Sequence, residues 1–361
     1  MENYIPSLGG NPSPKDYRDI PLGQVVPQLV SYPDKYLVDI SLLPVWYQRK
    51  IGACVGHACG KYKQSLDIPV TTPNILPLSA RFLYAYAKAL DGYEGEGTYP
   101  RLVMKILKDV GCSTERTLPN DTTLDHEAYV FYRDINKIPK VAIEEASLNK
   151  IKSYASVSMT KLGIQQACFS ARGLSLLVKL DESWWSDKNG VTWDKDRILP
   201  LCPPRNSVGG HQIYIYGYEV VGNDMKVFFL NSWSKDWADN GCGWFWLSEY
   251  QASLVEGWTA VNIPDYLLEE VKNLPPVFSH HFYRSINYGE SNEEVKALQR
   301  ALLIDGEFDY IVTGYYGTIT SAAVKAFQRK YQVASLAEIN GLNGRSAGPK
   351  TRKKLNELFD K

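Results

Sequence analysis

Between Gln212 and Tyr218 the chain reads Gln-Ile-Tyr-Ile-Tyr-Gly-Tyr, an alternation of period two that predicts a β-strand. Gly209 and Gly210 precede it, and glycine there permits close backbone approach or positive φ. Val227 to Leu230 predicts the next strand, so His211 opens one strand and Asn231 leaves its neighbour. The run from Cys54 to Leu66 predicts a helix in spite of Gly56 and Gly60. Near the C-terminus the period changes. Val295, Leu298 and Leu302 share one helical face, Thr318 to Gln328 repeats that arrangement, and Lys350 to Leu358 closes a third helix.

These patterns divide the chain. Residues 1–36, rich in proline and glycine, form an extended arm wrapping the domain that follows; 37–264 form a large mixed domain; 265–286 form a linker stiffened at Leu274-Pro275-Pro276-Val277; 287–361 form a small helical domain. A chain of 361 residues that is 44% hydrophobic suits two domains with cores. Equal numbers of acidic and basic residues and no basic patch give no sign of a nucleic-acid partner. No apolar run approaches a membrane span, and the N-terminus lacks a basic region followed by an apolar one. A cytoplasmic or phage-borne protein is therefore expected. Six cysteines over this length are not a disulfide framework, and no residue set is assigned to a metal or cofactor.

The chemistry lies in three separated segments. Gln48 precedes Cys54 by six positions, Gly209-Gly210-His211 follows much later, and Leu230-Asn231-Ser232-Trp233 follows that. Only a thiolate is strongly nucleophilic, and both an imidazolium partner and a helix N-terminus favour it. Cys54 is expected to attack, His211 to move the proton, Asn231 to hold the imidazole, and Gln48 to donate a hydrogen bond to the oxyanion. His57 faces along the helix of Cys54 with nothing to orient it. His126 falls in the polar stretch 121–127, read as a loop, and His280 and His281 fall in the linker. Cys59, Cys112, Cys168 and Cys202 are read as structural.

Gly52-Ala53-Cys54, Gly-Gly-His, Asn-Ser-Trp, Trp237 and Gly241-Cys242-Gly243-Trp244 together resemble the papain-like cysteine peptidases over about residues 39–264. The resemblance implies an α+β fold, a two-lobed catalytic domain with a helical lobe and a β-barrel-like lobe. It also implies Gly97, within Gly95-Glu96-Gly97-Thr98-Tyr99-Pro100, as a substrate-backbone contact, with Gly210 and Trp233 completing the substrate side. Val55 and Gly56-His57-Ala58 are closer to bacterial and viral branches, and Leu78-Ser79 resembles a helix start with Ser79 as N-cap. Ile51 stands where the family pattern has a cysteine, so the neighbouring disulfide should be absent. His211 lies 157 positions after Cys54 and Asn231 lies 177 after it, which implies an insertion within 183–206. The arm is shorter than the family's inhibitory propeptides, so an enzyme needing no major processing is expected.

Val295 to Leu302 (Val-x-x-Leu-Gln-x-x-Leu), Gly314-x-x-Gly317-x-x-Thr320, Ala323-Val324-x-x-Phe327-Gln328 and Gly348-Pro349-Lys350-Thr351 resemble a peptidoglycan-binding-like domain of three helices. Bacterial cell-wall peptidoglycan is the partner that resemblance implies for 287–361, with a plain docking module as the alternative. The acidic run Asp305–Tyr310 reads as a solvated loop rather than a cation site. The whole therefore reads as a thiol endopeptidase acting on polypeptide. The alternatives are a phage or bacterial peptidoglycan peptide hydrolase and a non-catalytic protein that kept the fold.

Overall fold

The computed structural model describes residues 7–26, 29, 31–68, 76–120, 126–180, 184, 207–262, 278–308 and 312–360. The expected insertion (apart from Trp184), Cys202, most of the linker and part of the acidic run lie outside them. Contacts divide the chain into two units, residues 1–13 with 25–263 and residues 14–24 with 264–361.

The first unit is mixed. It contains β1 (Lys35–Leu37), α1 (Cys54–Asp67), α2 (Ala80–Leu90), α3 (Pro100–Asp109), α4 (His126–Arg133), α5 (Lys140–Ala146) and β2 (Tyr154–Val157). It continues through α6 (Lys161–Ala171), β3 (Leu174–Leu180), β4 (Gly209–Val221), β5 (Asp224–Leu230), β6 (Cys242–Trp246), α7 (Leu247–Tyr250) and β7 (Leu254–Ala260). Where the polar stretch 121–127 had been read as a loop, α4 begins at His126.

Helix α1 tolerates its glycines because one of them is needed. A Cβ on Gly56 would lie 2.7 Å from the Ala80 carbonyl oxygen, so glycine lets α2 cross α1 closely. Ser79 caps α2, its hydroxyl accepting from Phe82 N at 3.1 Å. The apolar faces of α1, α2 and α3 share a core that includes Val55, Tyr62, Phe82, Leu83, Met104 and Leu107.

The sheet is antiparallel, with strands in the order β2-β7-β3-β4-β5-β6, and β1 pairs with β4. Strand β4 extends well past the alternating segment and turns into β5 through Gly222-Asn223, with Gly222 at φ +60°. The register sets Tyr214 opposite Leu230 and His211 opposite Val178 of β3. The start of β4 and the residue after β5 are thereby brought to the same end of the sheet.

The second unit holds β8 (Ile286–Asn287), α8 (Glu293–Asp305), α9 (Thr318–Lys330), α10 (Leu336–Leu342), β9 (Ser346–Ala347) and α11 (Pro349–Phe359). The three expected helices are present. The short α10 is an addition, and Ser335 caps it by accepting from Glu338 N. Val295, Leu298, Leu302, Val324, Phe327 and Leu355 form its core. Residues 14–24 belong here: Lys15 Nζ donates to the Ile304 carbonyl at 3.0 Å, and the Tyr17 ring meets Phe278 edge-on. Among the described residues no helix is long and apolar enough to cross a membrane.

Candidate active site

Cys54 is the first residue of α1 and is fully buried. Its position fits the requirement for unpaired backbone N–H groups near a nucleophile, since the first turn of a helix leaves them free. Burial pushes the thiol up to about 11, against the pull of backbone N–H groups of Gln212, Gly9, Val55 and Cys54 itself. Gln212 follows His211, so the start of β4 lies against the sulfur.

His211 is also fully buried. Its Nε2 lies 2.7 Å from Asn231 Oδ1, and its Nδ1 has no hydrogen-bond partner among the described residues. Burial lowers its pKa to about 4, although the Asn231 bond works the other way. Asn231 is held by its own backbone, which donates to the Gly241 carbonyl at 2.8 Å, and by Ser232 N donating to Oδ1 at 2.8 Å. Trp233 covers the pair, its ring 4.5 Å from the imidazole. Behind it Trp184 stacks on Phe229 and Trp237, an apolar wall that keeps water from the His–Asn bond.

Gln48 is buried and anchored at both ends. Its Oε1 accepts from Ser232 Oγ at 2.5 Å, and its backbone N donates to the Ser232 carbonyl at 2.9 Å. The amide Nε2 donates to the Ile51 carbonyl at 3.0 Å and to the Ser7 carbonyl at 2.9 Å. Ser232, which orients this donor, had no signal of its own in the sequence beyond standing next to Asn231.

The Ser7 contact belongs to the arm. Residues 7–13 run through the cleft rather than around the catalytic unit. Gly10 N donates to the Gly210 carbonyl at 3.0 Å, Thr98 N donates to the Gly9 carbonyl at 3.0 Å, and Asn11 N donates to the Thr98 carbonyl at 3.0 Å. Ser13 N donates to Glu256 Oε1 at 2.7 Å. Two glycines make this fit possible. A Cβ on Gly9 would lie 1.8 Å from the Gly52 carbonyl oxygen, and one on Gly10 would lie 2.3 Å from Leu177 Cδ1.

Backbone pairing with the arm runs through Thr98 and Gly210. Gly97 instead donates its N–H to Tyr84 Oη at 3.1 Å, sits at φ +93°, and keeps the wall free of a side chain 2.7 Å from the Gly9 carbonyl oxygen. Thr98 had escaped notice because a backbone contact leaves no side-chain signature.

His57 is buried one turn along α1, edge-on to Trp46, with neither ring nitrogen partnered among the described residues. Burial drives its pKa down to about 3, with the Lys61 and His211 charges adding to the effect. Ile51 is buried among Ala53, Tyr84, Tyr129 and Tyr132. Cys54, Cys59, Cys112, Cys168 and Cys242 are free thiols. Among the described residues no group of three or more potential ligands could hold a metal ion.

Comparison with known proteins agrees with this geometry. Residues 40–256 match the family model described as papain family cysteine protease, and residues 291–334 match one described as a putative peptidoglycan binding domain. Among solved structures the chain is similar to xylellain, a cysteine protease from Xylella fastidiosa, with a TM-score of 0.60 at 19% identity. That match covers 72% of this chain and 97% of the other. It is also similar to a procathepsin B from Trypanosoma congolense, with a TM-score of 0.52 at 12% identity over 72% and 87% of the two chains. Comparison with curated protein sequences returns no match. At these identities the structures speak for the fold, and the family model for the lineage: the chain belongs to the papain family of cysteine proteases and is a cysteine-type peptidase.

Proposed function

We propose that the chain hydrolyses peptide bonds through an acyl-enzyme on Cys54. The observation that carries this reading is a peptide carbonyl, that of Ser7, received by the Gln48 amide while a Gly9 N–H faces the Cys54 sulfur. A substrate carbonyl can take the same amide hydrogen in the cleft that holds the thiol. The Cys54 thiol passes its proton to His211 as the sulfur forms its bond to the carbonyl carbon, the C=O π electrons move to oxygen, and Gln48 Nε2 with the Cys54 N–H holds the oxyanion. His211, fixed by Asn231, gives its proton to the leaving amine as the C–N bond breaks. Water then loses a proton to His211 and attacks the thioester, releasing the acid and the thiol.

The full chain is in this reading a self-blocked form. With the arm in place, burial leaves Cys54 a neutral thiol and His211 a neutral imidazole. Substrate must displace residues 7–13.

The residues past 286 form in this reading a separate module that directs the enzyme to bacterial cell wall. The match of residues 291–334 to a peptidoglycan-binding family supports this, and it also favours a second reading in which wall peptides are the substrate. Incubating wild type and Cys54→Ala with casein and with purified wall, and scoring new amino termini, separates the two. Absence of any Cys54-dependent product from either sinks both. Sedimentation of full-length Cys54→Ala with wall tests the module, and failure to co-sediment overturns the targeting.

A further inference from the structure

The cleft wall that leads to Thr98 is held by side chains. Residues 92–97 lie between α2 and α3 and, among the described residues, make no hydrogen bond from main chain to main chain. The segment winds instead about one ammonium. Lys88, in the last turn of α2, donates from Nζ to the carbonyls of Tyr93 at 2.5 Å, Gly95 at 2.9 Å and Gly97 at 3.1 Å. It also donates to Asp91 Oδ2 at 3.0 Å, and the two side chains are 3% and 0% exposed. Asp91 Oδ1 in turn accepts from Tyr93 N at 3.0 Å. A lysine has three N–H donors and no acceptor, so this one spends its whole capacity on the wall.

We infer that Lys88 is a positioning residue for substrate: it sets the Gly97–Thr98 peptide so that the Thr98 N–H is presented to the backbone of a chain lying in the cleft. This rests on the catalytic reading proposed above. The Gly97 carbonyl and the Thr98 N–H are opposite ends of one planar trans peptide, so holding the first aims the second. That N–H already holds a peptide, donating to the Gly9 carbonyl at 3.0 Å. The arm runs parallel to Thr98, but an N–H accepts any peptide carbonyl as its partner whichever way the chain runs. A bond from an ammonium to a carbonyl is charge-assisted, about twice as strong as a neutral one, and it polarises the peptide so that its N–H donates better. No substrate side chain is read in this way, so the gain goes to extended backbone of any sequence.

The competing account is that Lys88 only stabilises the end of α2 and the segment after it. Two substrates that pass through the same acyl-enzyme separate the accounts. One is an extended peptide. The other is an amino-acid methyl ester, whose single carbonyl is the one attacked, so that none is left to accept from Thr98. Both are hydrolysed by full-length protein carrying Gly9→Ile, where the arm does not compete for the Thr98 N–H, with and without Lys88→Met. Methionine keeps an unbranched stem and removes every donor. Iodoacetamide labelling of Cys54, which needs no turnover, is followed in the same chains and in those that keep Gly9.

Lys88→Met should raise KM for the extended peptide about tenfold with kcat nearly unchanged, and should leave kcat/KM for the ester within about twofold. Labelling should quicken about threefold when Lys88→Met is made in the chain that keeps Gly9, since the arm loses its hold on Thr98, and should not change in Gly9→Ile. An unchanged KM for the peptide, or labelling that does not respond, overturns the assignment. Proportionate loss on both substrates, in Lys88→Met and in the milder Lys88→Gln, is what a merely structural lysine gives and overturns it too. Failure of the Gly9→Ile chain to turn over either substrate overturns the catalytic reading, and the labelling comparison then still decides whether Lys88 sets Thr98.

Discussion

Two buried glutamines show how differently the two units use the same side chain. Gln299, in α8, is saturated by its own unit: Oε1 accepts from Gly314 N at 2.9 Å, and Nε2 donates to the Tyr315 carbonyl at 3.0 Å and Thr320 Oγ1 at 2.9 Å. Gln48 is as buried, but one of its bonds goes to Ser7, on the N-terminal arm. Beside it His211 Nδ1 and Asn231 Nδ2 have no partner among the described residues. A buried polar group without a partner costs about 1–3 kcal/mol. The catalytic unit carries that cost where a reaction needs free donors and acceptors, whereas the C-terminal unit spends its polar groups on joining elements.

The largest test of this contrast is Cys54→Ala, expected to lower kcat/KM on a peptide substrate by at least about 10⁴-fold. Retained turnover in that variant would move the reaction away from the cleft. The glutamines themselves come next. Gln48→Leu should reduce kcat by about 10²–10³-fold, the size seen when one oxyanion donor is lost, and lower the thermal midpoint as well, since it strands the Ser232 hydroxyl. Gln299→Leu should spare kcat and lower the stability of its unit by about 1–3 kcal/mol in urea unfolding, since it strands the buried Gly314 N–H. Equal effects of the two on kcat would erase the distinction.

A smaller effect, of opposite sign, is expected from Gly9→Ile. The new side chain cannot occupy the space of the Gly52 carbonyl, so the arm should leave and kcat/KM rise about tenfold, a population shift of roughly 1.4 kcal/mol. Iodoacetamide labelling of Cys54 at neutral pH should quicken in step. Unchanged activity and labelling would mean the arm does not limit access.

The mildest test is by acid. Burial depresses His57 to about 3 and His211 to about 4, from 6.5 in an unfolded chain. The unfolded chain therefore binds more protons between those values and 6.5. The stability from keeping both rings neutral is complete above about pH 6.5 and is lost progressively as pH falls towards 4 and 3. Each ring contributes a slope of up to about 1.4 kcal/mol per pH unit in that window. His57→Phe should halve the slope in urea titrations between pH 6 and 5, and an unaltered slope would show that this histidine is not buried neutral.

Much of this was legible in the chain. The period-two run through Ile213 and Ile215 marked β4, the Val295-Leu298-Leu302 face marked α8, and Ser79 marked the start of α2, because each is a local rule about which side chains share a face or cap a turn. The short α10 was missed, since seven residues carry too little periodicity to stand out. Thr98 was missed because it meets the arm through its backbone, and Ser232 because its bond to Gln48 joins residues 184 positions apart. The arm looked like a wrapping segment. Nothing local in Ser7-Leu8-Gly9-Gly10 says what lies around it, and the need for glycine appears only once the Gly52 carbonyl is seen pressed against it.

By itself the sequence determined a cysteine-type peptidase, the order in which Cys54, His211 and Asn231 follow one another, and the change from a mixed domain to a helical one. These depend on residue chemistry and short-range period, which a linear chain displays. Tertiary structure alone decided that residues 7–13 fill the cleft, that Gln48 is aimed by Ser232, that Glu96 accepts from the Ser7 hydroxyl, and that burial shifts Cys54 and His211 towards their neutral forms. Each of those is a matter of what is near in space and what water is excluded. Proximity between distant segments and desolvation arise only when the chain closes on itself.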